Sequence, residues 1–343
     1  MTSLMYEEAF SAAHAVAEQL RRDADRCHAL GALLRRAPPA RIVTIARGSS
    51  DHAATYFNYL LAIRTGRLVN SLPLSLMTVY DAPIETHATD PVLALAISQS
   101  GMSPDVRTPV ERYRRAGATT VALVNDAASP LADAAEWVLP MHAGPERSVA
   151  ATKSFICSLV ACARLVAGWS GDATFERAIA ALPTALEEAR DQDWRAAIDV
   201  LAPADRIMVV GRGTGLSIAQ EAALKFKETC AIQAEAFSGA EIKHGPMALV
   251  DDGYPLLIFA PRGPAQTGLL ALAAEMRARG ARVLLAAPAD TPGRDLTLAI
   301  SGTPDLDPIV AIQSFYMLIE RLSRERGCDP DRPRHLNKVT STV

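Results

Sequence analysis

The feature that most constrains this sequence is an internal repeat. Residues 41–49 (RIVTIARGS) align with residues 206–214 (RIMVVGRGT), and residues 114–118 (RRAGA) align with residues 277–281 (RARGA). The two alignments have offsets of 165 and 163 residues, and such near-constant spacing argues against coincidence. A duplicated unit predicts two halves that fold in the same way. We place these halves at residues 37–170 and 201–330, with a helical lead-in at 1–36, a helical connector at 171–200 and a C-terminal tail at 331–343.

Short apolar runs alternate with segments of helical spacing in the first half. The runs lack polar alternation, which is typical of strands buried on both faces of a parallel sheet. Strands that alternate with helices predict the α/β class. We therefore expect two tandem α/β domains, each a parallel sheet flanked by helices. The predicted strands lie at residues 41–46, 92–97, 119–124 and 137–140.

Composition excludes several classes of protein. With 49% apolar and 21% charged residues, the chain is too hydrophobic to be disordered. The formal net charge of −3 offers no basic surface for nucleic acid. Five scattered cysteines have no metal-ligand or dithiol spacing, which indicates reduced thiols and no metal site. The N-terminus lacks the pattern of a secretory signal and no apolar run reaches the roughly 18 residues of a membrane span, so we expect a cytoplasmic protein.

The segment 98–103 (SQSGMS) follows a predicted strand and precedes a predicted helix. Such a loop presents backbone N–H groups, hydroxyls and the positive end of the helix dipole to one point, which suits a phosphate. The alternative is a turn whose serines only cap the helix. Ser50, in a similar loop after the strand at 41–46, is expected to join the cluster. At the corresponding place the second half reads PRG (261–263), without hydroxyls, so we expect only one such phosphate site.

Three other segments carry candidate chemistry. Lys225 and Glu228 lie at i, i+3 on a predicted helix, and without further context an exposed ion pair is the simplest interpretation. His244 precedes a Gly-Pro turn, where an imidazole is either a general acid or base near neutral pH or a surface histidine. The loop 211–215 (GRGTG) is only faintly similar to a dinucleotide fingerprint, because Leu216 stands where the third glycine belongs.

Together, six segments resemble the double-SIS (sugar isomerase) family. Within that family they are similar to the isomerase half of glutamine–fructose-6-phosphate amidotransferases and, more closely, to stand-alone glucosamine-6-phosphate deaminases. The resemblance runs from about residue 5 to the C-terminus and implies two flavodoxin-like, three-layer domains. The segments are 47–50 (RGSS), 98–103 (SQSGMS), 149–153 (VAATK), 221–228 (EAALKFKE), 241–246 (EIKHGP) and 329–338 (DPDRPRHLNK).

The resemblance implies a role for each candidate residue. Glu228 would move a proton between carbons 2 and 1 of the sugar, and Lys225 would assist that movement. His244 would open the sugar ring from the neighbouring subunit, which implies a homodimer. Lys338 would act covalently, as a Schiff base, or only as a charge. The phosphate would be held by Ser50, Ser98, Gln99, Ser100 and Ser103, and the sugar hydroxyls would meet the backbone around Val149 and Ala151.

The activity implied in this way is conversion of glucosamine 6-phosphate to fructose 6-phosphate and ammonia, with no metal or organic cofactor. Residue 2 is Thr2, not the cysteine of a glutaminase domain, so the chain is not expected to take ammonia from glutamine by itself. A deglycase or isomerase for a fructosamine- or galactosamine-type phosphate is the alternative enzyme. A phosphosugar sensor without turnover is the alternative from another class, although residues 1–36 contain no basic recognition helix.

Overall fold

The computed structural model describes residues 2–87 and 89–338. Its first half forms a five-stranded parallel sheet in the order β2-β1-β3-β4-β5. All four predicted strands are present, and β3 is buried at every position, as expected for a strand covered on both faces. The strands are β1 (Arg41–Ile45), β2 (Asn70–Ser71), β3 (Val92–Ser98), β4 (Thr119–Val124) and β5 (Trp137–Pro140).

The second half repeats this sheet. Its order β10-β9-β8-β6-β7 is that of the first sheet read from the opposite edge, and all its pairings are parallel. The predicted α/β class and the duplication are therefore confirmed. The strands are β6 (Arg206–Gly211), β7 (Gln233–Ser238), β8 (Pro255–Phe259), β9 (Arg282–Pro288) and β10 (Leu296–Leu298).

Helices connect and flank the strands. The predicted lead-in consists of three helices, and the predicted connector contains α9 to α11. Short 3₁₀ helices occupy Arg195–Ala197, Glu241–His244, Pro246–Leu249 and Pro304–Leu306. The α-helices are α1 (Leu4–Phe10), α2 (Ala12–Arg21), α3 (Ala24–Arg36), α4 (Ser49–Thr65), α5 (Ser75–Thr78), α6 (Pro104–Arg115), α7 (Pro130–Ala134), α8 (Lys153–Ser170), α9 (Ala173–Ala180), α10 (Leu182–Arg190), α11 (Ile198–Leu201), α12 (Gly215–Cys230), α13 (Gln266–Ala278) and α14 (Asp307–Glu325).

The described residues divide into two compact units that are not continuous in sequence. The first-sheet unit comprises His14–Glu146, Lys153–Ala180 and residues 337–338. The second-sheet unit comprises residues 2–13, Arg147–Thr152 and Ala181–Leu336. These units differ from the predicted segments, because the lead-in, the first half, the connector and the tail each contribute to both. Residues 339–343 of the predicted tail lie outside the described residues.

Helix α8 belongs to the interior of the first-sheet unit. Most of its side chains are buried, including Phe155, Leu159 and Trp169. By length and composition this helix would be able to cross a membrane, which the sequence analysis did not anticipate, but 89% of the 18-residue window is buried within the protein. A core helix has this pattern of burial. It also contains Cys157 and Cys162, whose thiol pKa values are raised by burial.

Candidate functional site

The loop after β3 folds as a compact turn at the carboxyl end of the first sheet. The Ser98 hydroxyl accepts a hydrogen bond from the Gly101 N–H at 3.1 Å, and the Ser100 hydroxyl accepts one from the Met102 N–H at 3.3 Å. Gly101 has a φ of +65°, and a Cβ there would lie 2.1 Å from the Ser129 hydroxyl oxygen. Only glycine fits this turn, since both the conformation and the close approach exclude a side chain.

The capping alternative does not describe this loop. Ser103 is the residue before α6, but its side chain makes no capping hydrogen bond to that helix. The hydroxyls of Ser98 and Ser100 accept hydrogen bonds from within the loop itself, so they shape the turn rather than cap the helix. Phosphate binding by this loop at the start of α6 stays a prediction.

Ser50 lies in the neighbouring loop. Strands β1 and β3 are adjacent and parallel, so the loops that follow them share one edge of the sheet. The two loops are joined directly, because the Arg47 Nε donates to Asp105 Oδ2 at 2.9 Å, and Asp105 is buried in the first turn of α6. Ser50 itself is half-buried in the first turn of α4. Burial raises the pKa of the adjacent Asp51 carboxyl, which the charges of His52 and Arg47 partly oppose.

Lys338 lies in the same unit, beside a buried carboxylate. Its Nζ is 3.0 Å from Glu146 Oε2, and Glu146 also accepts the Ser154 N–H at 3.0 Å at the start of α8. Asn125, which follows β4, accepts the Ala143 N–H at 2.8 Å, and its own N–H donates to the Gln99 carbonyl at 3.3 Å. One chain of contacts thus runs from the loop of Gln99 to the segment that ends at Glu146.

In the corresponding loop of the second half, after β8, an arginine side chain forms hydrogen bonds within the protein. Arg262 forms two hydrogen bonds of 2.8 Å to the buried Asp307 and a third, of 2.7 Å, to the Ser301 carbonyl. Asp307 in turn accepts the Ser301 N–H at 2.9 Å. The guanidinium of Arg262, which follows β8, therefore hydrogen-bonds within the protein. The loop after β3 has serine hydroxyls at the corresponding place.

The second-sheet unit contains a buried cluster of charges on α12. The Lys225 side chain is 1% exposed and contacts two carboxylates, Glu221 at 3.3 Å and Glu228 at hydrogen-bond distance. The Tyr316 hydroxyl, on α14, donates to Glu221 at 3.1 Å. The interpretation of Lys225 and Glu228 as an exposed ion pair is therefore wrong. Helical spacing alone could not reveal this burial, which results from the packing of α14 against α12.

The charges of this cluster keep Lys225 protonated. Burial alone would lower the pKa of Lys225, but Glu221 and Glu228 outweigh that effect, so the pKa is raised above 10.5. A lysine whose pKa is higher in the folded than in the unfolded protein stabilises the fold at every pH below its unfolded-state pKa. This stabilisation is lost only as the pH rises through the folded-state pKa. At neutral pH Lys225 is thus an ammonium that lies between the side chains of Glu221 and Glu228.

Glu228 differs from its partners because it reaches a pocket. Its side chain is 19% exposed, against 0% for Glu221. The pocket has a volume of about 890 Å³ and lies between the end of α12 and the tail. It is lined by Leu224, Lys227, Glu228, Thr229, Ala231, residues 326–329 after α14 and residues 332–336 of the tail. A carboxylate that is anchored at an ammonium and open to a pocket can exchange a proton with a bound molecule.

His244 is exposed on the second-sheet unit. It ends the 3₁₀ helix Glu241–His244, and Gly245 follows with a φ of +139°, a conformation that glycine adopts readily. Pro246 begins the next 3₁₀ helix, so the imidazole stands on a constrained turn, as predicted. The geometry agrees with either of the interpretations left open, a surface histidine or a donated acid or base.

The backbone around Val149 is only partly available to a ligand. The Val149 N–H donates to the Asp331 carbonyl at 3.3 Å, and the Ser148 N–H donates to Glu8 at 3.2 Å. The N–H of Val149 is therefore used by the tail, and contact of this backbone with a sugar hydroxyl stays a prediction. Ala151 is half-buried two residues before α8 begins.

Three residues of the site were missed by sequence reasoning. Glu221 lies four residues before Lys225, and this i, i+4 spacing was a signal that could have identified it. Glu146 and Tyr316 carry no such signal, since their partners Lys338 and Glu221 are 192 and 95 residues away in sequence. Only the folded chain brings Glu146 to Lys338 and Tyr316 to Glu221.

Comparison with known proteins identifies the domain type of both halves. The SIS domain family model matches residues 34–167 and 200–290. The glutamine–fructose-6-phosphate aminotransferase [isomerizing] of Zymomonas mobilis is 32% identical over 317 residues, which are 87% of this chain and 51% of the relative. The chain therefore spans about half the length of the curated relatives that it matches.

Two solved structures are similar over nearly the whole chain. A candidate phosphosugar isomerase from Silicibacter pomeroyi superposes with a TM-score of 0.90 at 41% identity, covering 96% of this chain and 100% of that one. A glucosamine-6-phosphate deaminase from Thermotoga maritima has a TM-score of 0.80 at 21% identity, covering 99% and 100%. At that identity the second likeness shows the fold alone.

Proposed function

The chain belongs to the SIS domain family, and from that premise we propose that it is a phosphosugar isomerase that converts glucosamine 6-phosphate to fructose 6-phosphate and ammonia. The observation that carries the proposal is Glu228, a carboxylate held by a buried ammonium and open to a pocket. Moving a proton between adjacent carbons needs a single base that can take it up and return it. The similar Silicibacter pomeroyi protein is described as a candidate phosphosugar isomerase, which supports the isomerase class.

Each step of the reaction has a residue of suitable chemistry. We assign ring opening to His244 and phosphate binding to Ser50, Ser98, Gln99, Ser100 and Ser103. Glu228 then takes the proton from carbon 2 while the oxygen on carbon 1 gains a second proton from water, which gives an enolamine and a hydroxide that the later steps consume. Return of the proton to carbon 1 leaves an imine on carbon 2. Water adds to that carbon and ammonia leaves, so no redox partner is needed.

The oligomeric state and location belong to the same proposal. The exposed position of His244 supports its donation to the site of a second copy, so the active form is a homodimer. The cysteines of the described residues are free thiols, four of them buried, which supports a cytoplasmic protein.

The test of the proposal is a coupled assay. Purified protein is supplied with glucosamine 6-phosphate, and ammonia and fructose 6-phosphate are measured separately, with and without glutamine. We expect equal amounts of both products, independent of glutamine. No release of either product from glucosamine 6-phosphate, in protein shown by calorimetry to bind that sugar, would contradict the deaminase.

A second substrate class is favoured by the charge of the pocket. Lys227, Arg332 and Arg334 are exposed and line the same pocket as Glu228. A glycated amino acid 6-phosphate carries a carboxylate besides its phosphate, which these cations would attract. Galactosamine 6-phosphate lacks that carboxylate. Comparing kcat/KM for the three substrates distinguishes a deaminase from a deglycase.

For Lys338 we propose an electrostatic role rather than a covalent one. Its Nζ is 3.0 Å from the buried carboxylate of Glu146, and this ion pair engages the nitrogen that would otherwise attack a carbonyl. We expect that sodium borohydride added during turnover leaves the mass of the chain unchanged. A sugar phosphate attached to Lys338 after reduction, detected by peptide mass spectrometry, would contradict this role.

A further inference from the structure

The two carboxylates that hold Lys225 are not equivalent. Glu221 is fully buried, lies 3.3 Å from the ammonium and is fixed by the Tyr316 hydroxyl at 3.1 Å. Glu228 is partly exposed and lines the pocket. One carboxylate is therefore a permanent counter-ion, while the other has room to move.

This asymmetry matters because Lys225 is buried. A buried ammonium with no counter-ion is strongly unfavourable. If Glu228 were the only carboxylate beside Lys225, it could not move away from the ammonium to accept a proton from a substrate. With Glu221 in place, Lys225 keeps one full ion pair when Glu228 turns toward a substrate. The negative charge of Glu221 also opposes the field of the ammonium at the position of Glu228.

We propose that Glu221, fixed by Tyr316, is a positioning residue that neutralises Lys225 permanently and so frees Glu228 to carry the substrate's proton. The inference rests on the proposed role of Glu228 and adds two residues that do not touch substrate. On α14 the facing group is Tyr316, and the ionisable groups that line the pocket with Glu228 are Lys227, Arg326, Cys328, Asp329, Arg332, Arg334 and His335.

The kinetic test compares Glu221→Gln with a matched control. Glutamine keeps an acceptor for the Tyr316 hydroxyl and removes only the charge, while the Lys225–Glu228 pair maintains neutrality. The control is Glu320→Gln on α14, which removes another buried carboxylate, from an i, i+4 pair with Arg324. We expect Glu221→Gln to lower kcat about 10- to 100-fold with KM within about twofold, and Glu320→Gln to change neither.

Tyr316→Phe supplies a second kinetic variant. It keeps all three charges and removes the hydroxyl that fixes Glu221, so we expect a smaller fall in kcat, of about two- to fivefold. A fall in KM alone, or equal losses in Glu221→Gln and Glu320→Gln, would overturn the inference, because a merely structural role would affect both variants alike.

A titration that needs no turnover separates this inference from the proposed function. Carbon-13 NMR of the glutamate carboxyls, with the Glu228 signal assigned from its absence in Glu228→Gln, gives the pKa of Glu228 directly. We expect the pKa to be lower in Glu221→Gln than in the unmodified protein and unchanged in Glu320→Gln. An unchanged pKa in Glu221→Gln would overturn the inference, whether or not any amino sugar is a substrate.

Discussion

Replacing Glu228 by glutamine is expected to lower kcat for ammonia release by about 100- to 10,000-fold, the usual contribution of a positioned general base. The amide is nearly the same size and can still accept a hydrogen bond from Lys225, so the fold should persist. It cannot take a proton from carbon 2, which is the step that we assign to Glu228. Phosphosugar binding should persist as well, because the phosphate ligands that we assign belong to the loops after β1 and β3.

The measurement combines turnover with exchange of the carbon 2 proton. In deuterium oxide, the unmodified protein should incorporate deuterium into recovered substrate, and Glu228→Gln should not. The matched control is Asp329→Asn, which removes a carboxylate from the same pocket without touching Lys225. Its kcat should stay within about threefold of the original. If Glu228→Gln kept more than about a tenth of the activity, another group would have to be the base.

The fold was predictable because its signals are local. Four of the five strands of the first sheet lie in the short apolar runs, and the repeat extends the assignment to the second half. The fifth strand, β2, is the exposed polar pair Asn70–Ser71, which no apolar run could indicate. The units, in contrast, are assembled from distant segments. For example, the N–H groups of Leu4 and Met5 donate to Asp331 at 2.8 and 2.7 Å, which ties the lead-in to the tail. No pattern within either segment indicates this pairing.

The candidate site shows the same division. Ser98, Ser100 and Gly101 could be identified because loop, strand and helix follow one another along the chain. The setting of Lys225 could not, since its burial depends on Tyr316, 91 residues further on. The i, i+3 spacing of a lysine and a glutamate is the same whether their helix faces solvent or lies beneath another helix, so the sequence does not distinguish the two settings. Packing decides whether such a pair contributes little to stability, as a surface ion pair does, or forms a buried cluster whose disruption costs much more.

Replacing Lys225 by methionine is therefore expected to destabilise the protein by about 3–5 kcal/mol, far more than loss of a surface ion pair would. The variant removes the ammonium of Lys225 from the fully buried Glu221, and Glu228 beside it adds repulsion. A buried carboxylate in this position responds by raising its pKa, so it binds a proton more readily folded than unfolded. The destabilisation should then shrink as the pH falls from 8 toward 5.5, because protonation removes the uncompensated charge.

The double variant Lys225→Met/Glu221→Gln distinguishes this electrostatic cause from a defect in packing. Glutamine at 221 keeps the acceptor for Tyr316 and removes the stranded charge, so most of the lost stability should return, and the pH dependence should disappear. Urea unfolding of the unmodified protein and of the three variants, at pH 8 and 5.5, completes the cycle. If methionine alone cost less than about 1 kcal/mol at pH 8, the ammonium would not be balancing buried charge. If the double variant were no more stable than the single one, the loss would come from packing around the lysine stem. Recovery in the double variant would instead establish that the buried charge of Glu221 requires the Lys225 ammonium. The same ion pair between Glu221 and Lys225 is what allows Glu228 to turn away from Lys225 toward a substrate.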